Sequence, residues 1–260
     1  KTLTVFLTLT LVAESIRDNI VNLYTYNVVE LTGDQKKDSE VLDAAVESLQ
    51  KGRIIGLPTD TSYAFAVGLN NTNAIRELYN ITRTPYNHSV SICVGKIDDI
   101  GYYGKTHNVP KSLIQQLLPG PVTILLEREL TLNRKLNPRS NLVGIRMPGA
   151  KTQLFIRKVT LKYGGPLVLI PAAIYGNQSL SVYHFQDLWQ KVDIVFNIGK
   201  LPKVGIHGST VVDLSVNGEY KIVREGIPAR ADAVRSIAER HHLKDPTSKT
   251  PFRGTEILFK

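Results

Sequence analysis

The sequence predicts a single α/β domain built on a mixed sheet, and three observations carry that prediction. Short apolar runs of strand length alternate with amphipathic stretches of helical period along most of the chain. One pair of runs is joined by a turn at Asn217-Gly218, which reads as a hairpin, so the strands are not all parallel. The 260 residues are 42% hydrophobic and 21% charged, ordinary for a globular domain with a sizeable core.

The elements follow in order. Val41, Leu42, Ala45, Val46 and Leu49 form one apolar stripe on a helix that Asp38 or Ser39 can cap and Gly52 can end. Residues 54–57 read as a buried strand ended by Pro58, with Thr59, Asp60, Thr61 and Ser62 next. A strand end of this kind sets polar groups at the mouth of a sheet, where open α/β folds bind small molecules. The same residues equally suit a turn bonded to its own backbone. Asn71 or Thr72 caps a second helix through Ala74, Ile75, Leu78 and Tyr79. Strand 90–94 precedes a helix opened by Pro110 that carries Leu113, Ile114, Leu117 and Leu118. Strands 122–126 and 143–147 flank a polar loop, and Pro148 ends the second. A helix over 151–163 stops at Gly164-Gly165; strand 167–170, a helix over 182–190 and strand 194–198 follow. A Gly-containing loop leads to strand 209–214, the Asn217-Gly218 turn and strand 221–224. Helix 230–242 is the last element, and the polar tail from Lys244 is expected to be loose.

Lys and Arg number 32 against 23 Asp and Glu, a net charge of +9 that favours anionic partners such as nucleotides, RNA or acidic surfaces. Cys93 is the only cysteine, which excludes an intrachain disulfide and a Cys-based zinc site and fits a reducing compartment. No apolar run is long enough to cross a bilayer as a helix. Residues 1–37, opening on Lys1, are expected to form an N-terminal appendage; within it 3–13 (LTVFLTLTLVA) reads as a targeting remnant or a plain strand. The domain proper is expected over 38–230, with a C-terminal helix and tail over 231–260.

The chain has no G-x-x-x-x-G-K-[ST] loop, no G-x-G-x-x-G after a strand, no H-E-x-x-H and no G-x-S-x-G. What remains is a set of polar residues at strand ends: Thr61 and Tyr63, Arg146 and Pro148, Ser209 and Thr210, and Arg224. Two arginines and several hydroxyls grip a phosphate or carboxylate when they converge, with Arg giving bidentate bonds. Spacing alone leaves each as readily a surface charge or a strand-end cap.

These residues fall in blocks whose order resembles the YrdC-type threonylcarbamoyl-AMP synthase family. The blocks are Pro58-Thr59-Asp60-Thr61 with Tyr63, Leu118-Pro119-Gly120-Pro121-Val122-Thr123 and Leu136-Asn137-Pro138. Next come Val143-Gly144-Ile145-Arg146-Met147-Pro148, Phe185-Gln186-Asp187-Leu188-Trp189, Gly208-Ser209-Thr210-Val211-Val212-Asp213, and Ile222-Val223-Arg224 followed by Gly226. Together they run from about Val41 to Ala229. The resemblance implies a YrdC-like single domain, a twisted mixed sheet with flanking helices around a concave basic cleft. It implies a nucleotidyltransferase that joins L-threonine, bicarbonate and ATP into L-threonylcarbamoyladenylate. That product would serve tRNA threonylcarbamoyladenosine (t6A) modification through a downstream tRNA threonylcarbamoyl transferase. Catalysis would rest on positioning and charge stabilisation, without a protein nucleophile. By the same resemblance Thr61, Tyr63, Pro148 and Arg224 would bind L-threonine, and Gly144, Arg146, Ser209 and Thr210 would bind ATP. Mg²⁺ would come with the ATP and not from a protein-held metal site. The expected location is cytoplasmic, also mitochondrial, without stable membrane insertion.

Two family motifs read differently here. A Lys-x-Arg that holds phosphates stands as Thr82-Arg83-Thr84, and a Ser-x-Asn stands as Pro171-Ala172-Ala173, which offers no side-chain donor or acceptor. The small position after Tyr63 is also changed, to Ala64. Three readings stay open. The chain is a synthase that rebuilt its ATP grip with Arg83, His88 or Lys96; or a catalytically impaired relative that binds nucleotide or double-stranded RNA; or a decaying gene copy.

Overall fold

Ten strands form one mixed sheet in the computed structural model, which describes residues 28–32, 37–149, 154–174, 178–203 and 208–248. They are β1 (Val28–Glu30), β2 (Ile55–Pro58), β3 (Tyr63–Gly68), β4 (Ser91–Cys93), β5 (Val122–Glu127), β6 (Leu142–Arg146), β7 (Leu167–Pro171), β8 (Ile194–Asn197), β9 (Thr210–Asp213) and β10 (Lys221–Arg224). Their order across the sheet is β1-β8-β2-β3-β7-β4-β6-β5-β9-β10. β1, β8 and β2 run parallel, as do β4 with β6 and β5 with β9, while the remaining neighbours are antiparallel. The helices are α1 (Lys37–Gln50), α2 (Thr72–Thr82), α3 (Lys111–Leu117), α4 (Leu154–Tyr163) and α5 (Pro228–Arg240). Asn71 caps α2 by accepting the Ala74 N–H, and Gly52 beyond α1 takes φ +72°, as a helix-ending glycine does.

Several expectations need correction. Tyr63–Gly68 is a strand that the sequence reading lacks, and Thr59 to Ser62 is the turn of the β2–β3 hairpin. The strand hides because all six residues are buried, which erases the alternation that marks a half-exposed strand. β1 falls inside the segment read as an N-terminal appendage over 1–37, yet it pairs with β8, Val28 opposite Val195. The helix expected over 182–190 is instead 3₁₀ turns across Val182–Lys191, kinked at Phe185 (φ −135°). There the Phe185 ring lies 5.3 Å from Phe65 and 5.9 Å from Tyr63, so core packing overrides a regular helix. The tail expected to be loose begins tied down: Lys244 donates its N–H to Gly218 O, and its carbonyl accepts Tyr220 N. The run 3–13, the expected helix start at 151–153 and part of the Gly-containing loop, 204–207, lie outside the described residues.

The two faces of the sheet are covered unequally, and this positions the site. One face is packed along its length by α2, α3, α5 and the 182–191 turns, through Ile75, Leu78, Leu113, Val234 and Phe185. On the other face, α1 and α4 bring Ala45, Leu49, Phe155, Ile156 and Val159 onto β8, β2, β3, β7 and β4. Across β6, β5, β9 and β10 that second face holds only a small cluster, Leu125 and Val211 with Leu142 and Val223. Among the described residues no helix covers it there.

Candidate functional site

Alternation along the strands selects what the uncovered face carries. Val143 and Ile145 of β6 and Val122 and Ile124 of β5 turn into the large core. Gly144, Arg146 and Thr123 therefore turn the other way. Register sets Thr123 opposite both Arg146 and Val211. Ser209, just before β9, places its Oγ 2.8 Å from Thr123 Oγ1. The β9–β10 register shifts between Ile222 and Arg224, which brings Arg224 opposite Val211. Such an irregularity re-aims a side chain. Here the Arg224 guanidinium donates to Ser209 O from Nε (3.3 Å) and Nη2 (3.2 Å), and to Ser209 Oγ from Nη2 (3.3 Å). A Cβ at Gly226 would lie 2.2 Å from Gly208 O, so only glycine lets the chain after β10 pass so close.

The β2–β3 turn supplies the opposite wall. Thr59 Oγ1 donates to Ser62 O (2.6 Å) and accepts the N–H groups of Thr61 and Ser62 (3.3 Å each), which fixes the turn. Asp60 Oδ1 accepts from Arg146 Nη2 at 2.8 Å, Asp60 Oδ2 from Gly149 N at 3.2 Å, and Thr61 Oγ1 from Arg146 Nη2 at 3.2 Å. The Arg146 and Asp60 side chains are 11% and 4% exposed, so the ion pair is almost dry. β2 and β6 are four strand steps apart, about 19 Å in a flat sheet. A 2.8 Å contact between them therefore brings the turn over the face and makes that face a hollow.

Its electrostatics are cationic. Burial, and then the charge of Arg146, push the Arg224 guanidinium down to about 10. Among the described residues no carboxylate pairs with Arg224. Burial, and then the charge of Arg224, hold the His88 imidazole below its usual range. Arg146 Nε is buried with no hydrogen-bond partner among the described residues. Of the two guanidiniums only that of Arg146 is paired with a carboxylate, Asp60, and hydroxyls and a glycine floor lie beside them, an arrangement suited to a carboxylate or phosphate. No three His, Cys, Asp or Glu side chains among the described residues group to hold a metal ion.

Thr61, Arg146, Ser209 and Arg224 are therefore brought together, with Gly144 in the floor. Pro148 is buried in the segment that leads from Arg146 to Gly149. Tyr63 is not brought in. It is fully buried, its hydroxyl lies 2.7 Å from Gly199 O and 3.0 Å from Asn197 Oδ1, and it accepts Ile198 N (3.1 Å). Thr210 also turns away, its Oγ1 accepting Gly226 N at 3.3 Å. Arg83 is an exposed left-handed cap of α2 (φ 53°) with no side-chain partner among the described residues. On either side of it, the Thr82 and Thr84 hydroxyls lie 2.8 Å apart and buried, and Thr82 Oγ1 also donates to Leu78 O (2.8 Å). Lys96 is exposed beyond β4. Ala64 pairs with Pro171, Ala172 donates to Tyr63 O, and Ala172 and Ala173 are buried. Asp60 and Thr123 stand in the sequence blocks, but only the structure gives them partners. Gln178, whose Nε2 donates to Thr61 O at 3.4 Å, had no signal in the sequence.

Comparison with known proteins gives concordant results. The Sua5_yciO_yrdC family model, described as "Telomere recombination", matches residues 47–226. A human protein named threonylcarbamoyl-AMP synthase is 38% identical over 194 residues, 72% of this chain and 68% of that protein. The Escherichia coli protein YciO is 25% identical over 191 residues, 72% of this chain and 89% of that one. Among solved structures, P. abyssi Sua5 complexed with L-threonine superposes with a TM-score of 0.66 at 20% identity, a likeness of fold. That match covers 76% of this chain but only 56% of the Sua5 chain.

Proposed function

The chain belongs to the Sua5/YciO/YrdC family, and from that premise we propose that it forms L-threonylcarbamoyladenylate from L-threonine, bicarbonate and ATP. One observation of the structure carries the reading: Arg224 is a partly buried cation beside a second one, Arg146, with no carboxylate of its own among the described residues. A desolvated charge of that kind is costly until an anion joins it. Threonine brings a carboxylate and ATP brings phosphates.

In the reaction, bicarbonate takes up a proton and loses water to give CO₂; the neutral threonine amine adds to its carbon and releases a proton, so that the carbamate forms with one water as the net by-product. A carbamate oxygen then attacks the α-phosphorus, the bond to the bridging oxygen breaks, and pyrophosphate leaves with the electron pair. Arg224 holds the threonine carboxylate. Arg146, Ser209 and the Gly144 floor face the nucleotide, and Thr61 stands beside the amino acid. Asp60 keeps Arg146 in place. These residues position and neutralise charge, which suits phosphoryl chemistry without a protein nucleophile. Mg²⁺ would come with the ATP as part of the substrate and supply further neutralisation of phosphate charge. The product then serves the t6A modification of tRNA.

The test is threonine- and bicarbonate-dependent release of pyrophosphate with formation of the adenylate. Arg224→Ala should lower kcat/KM on the order of a hundredfold or more, the scale of losing a charged contact in the transition state. No adenylate from the unsubstituted chain at high enzyme concentration rejects the proposal. It would leave binding without catalysis, in line with the rewritten Thr82-Arg83-Thr84 and Pro171-Ala172-Ala173 segments.

A further inference from the structure

We infer that Gln178 is a specificity-determining residue that hydrogen-bonds the side-chain hydroxyl of L-threonine; this rests on the function proposed above. At the end of β7, Pro171, Ala172 and Ala173 present no polar side chain. The chain returns to the same place at Gln178 and Ser179. Ser179 Oγ donates to Ala172 O at 2.6 Å, and Ser179 O accepts Tyr63 N at 2.7 Å. This segment is thereby fastened to the end of β7 and the start of β3, against the turn that carries Thr61. From there the half-buried Gln178 reaches over, and its Nε2 donates to Thr61 O at 3.4 Å. The second N–H and Oε1 of the same carboxamide have no partner among the described residues.

Charge divides the work at this wall. Two guanidiniums already answer an anionic carboxylate or phosphate. A neutral carboxamide offers one donor and one acceptor together, which is what an alcohol requires. Thr61 Oγ1, occupied by Arg146 Nη2, is less able to meet it. A site built to bond a substrate hydroxyl rejects the isostere that lacks it, because its polar groups are then left unpaired. Gln178 would thus separate threonine from valine.

The experiment is calorimetric titration of the full chain with L-threonine and with L-valine, with ATP titrated as a control. Gln178→Met keeps the length of the side chain and Gln178→Ala removes it; melting curves confirm that both variants fold. Both should weaken threonine binding about tenfold, the scale of one hydrogen bond, while valine and ATP binding stay unchanged. A threonine-to-valine ratio that either folded variant leaves unaltered overturns this inference alone. Failure of the unsubstituted chain to bind threonine overturns the proposed function and this inference with it.

Discussion

Arg224 shows how one residue can be shaped for a ligand at the expense of the fold. Its guanidinium is partly buried, bonded among the described residues only to Ser209, and repelled by Arg146. Arg224→Met should therefore leave the melting temperature of the ligand-free protein unchanged or raise it by roughly 2–4 °C, about 1 kcal/mol for a chain of this size. The same variant should abolish adenylate formation, and thermal melts beside pyrophosphate assays check both. His88 senses the same field. Burial and Arg224 lower its affinity for protons below the ordinary value of 6.5, so the unfolded chain binds a proton first as pH falls. The contribution of His88 to stability is then complete above about pH 6.5 and is lost below it, as pH falls through the lowered folded-state value. His88→Gln should flatten the fall in urea midpoint between about pH 7 and pH 5. An unaltered slope would assign the acid sensitivity to other groups.

At the scale of elements, the bent edge made by β9 and β10 decides where Arg224 points. The register shift at 222–224 turns the side chain onto the uncovered face, and Gly226 lets the following chain pass against Gly208. Gly226→Ala forces a Cβ to 2.2 Å from a backbone oxygen, which no rotamer change relieves. It should cost about 1–3 kcal/mol or more and reduce activity with it, readable as a lower urea midpoint and a lost pyrophosphate signal. The end of α2 works in the opposite sense. Arg83 holds φ at 53°, a conformation glycine adopts without strain. Arg83→Gly should therefore stabilise the chain by up to about 1 kcal/mol. An accompanying loss of ATP affinity would show that Arg83 also meets phosphate, which its exposed position permits.

For the molecule as a whole, most elements were legible because buried strands and amphipathic helices write their periods into the chain; α1, α2 and β5 lie within a residue or two of where the apolar pattern sets them. β3 was not, since YAFAVG is buried throughout and carries no alternation. β1 was hidden within a long segment that reads as an appendage. The site was legible as a set of residues but not as a place, because strand order and curl are long-range facts: nothing local sets the Asp60 turn beside Arg146, four strands away. That contact also clasps the two halves of the hollow together, and its removal should be felt throughout. Asp60→Asn leaves the nearly buried Arg146 without its carboxylate, next to an Nε that already lacks a partner among the described residues. Breaking a buried pair from one side costs about 3–5 kcal/mol, and the slight exposure of Arg146 argues for the lower end. At roughly 2–4 °C per kcal/mol, the melting temperature should fall by about 6–12 °C. Asp60→Asn combined with Arg146→Met removes the stranded charge along with its partner and should regain part of that loss, giving a favourable coupling in a double-mutant cycle. If Asp60→Asn instead melts within about 2 °C of the unsubstituted chain, the pair does not hold the turn over the face, and the hollow must be kept by the backbone bonds of Thr59 and Ser179 alone.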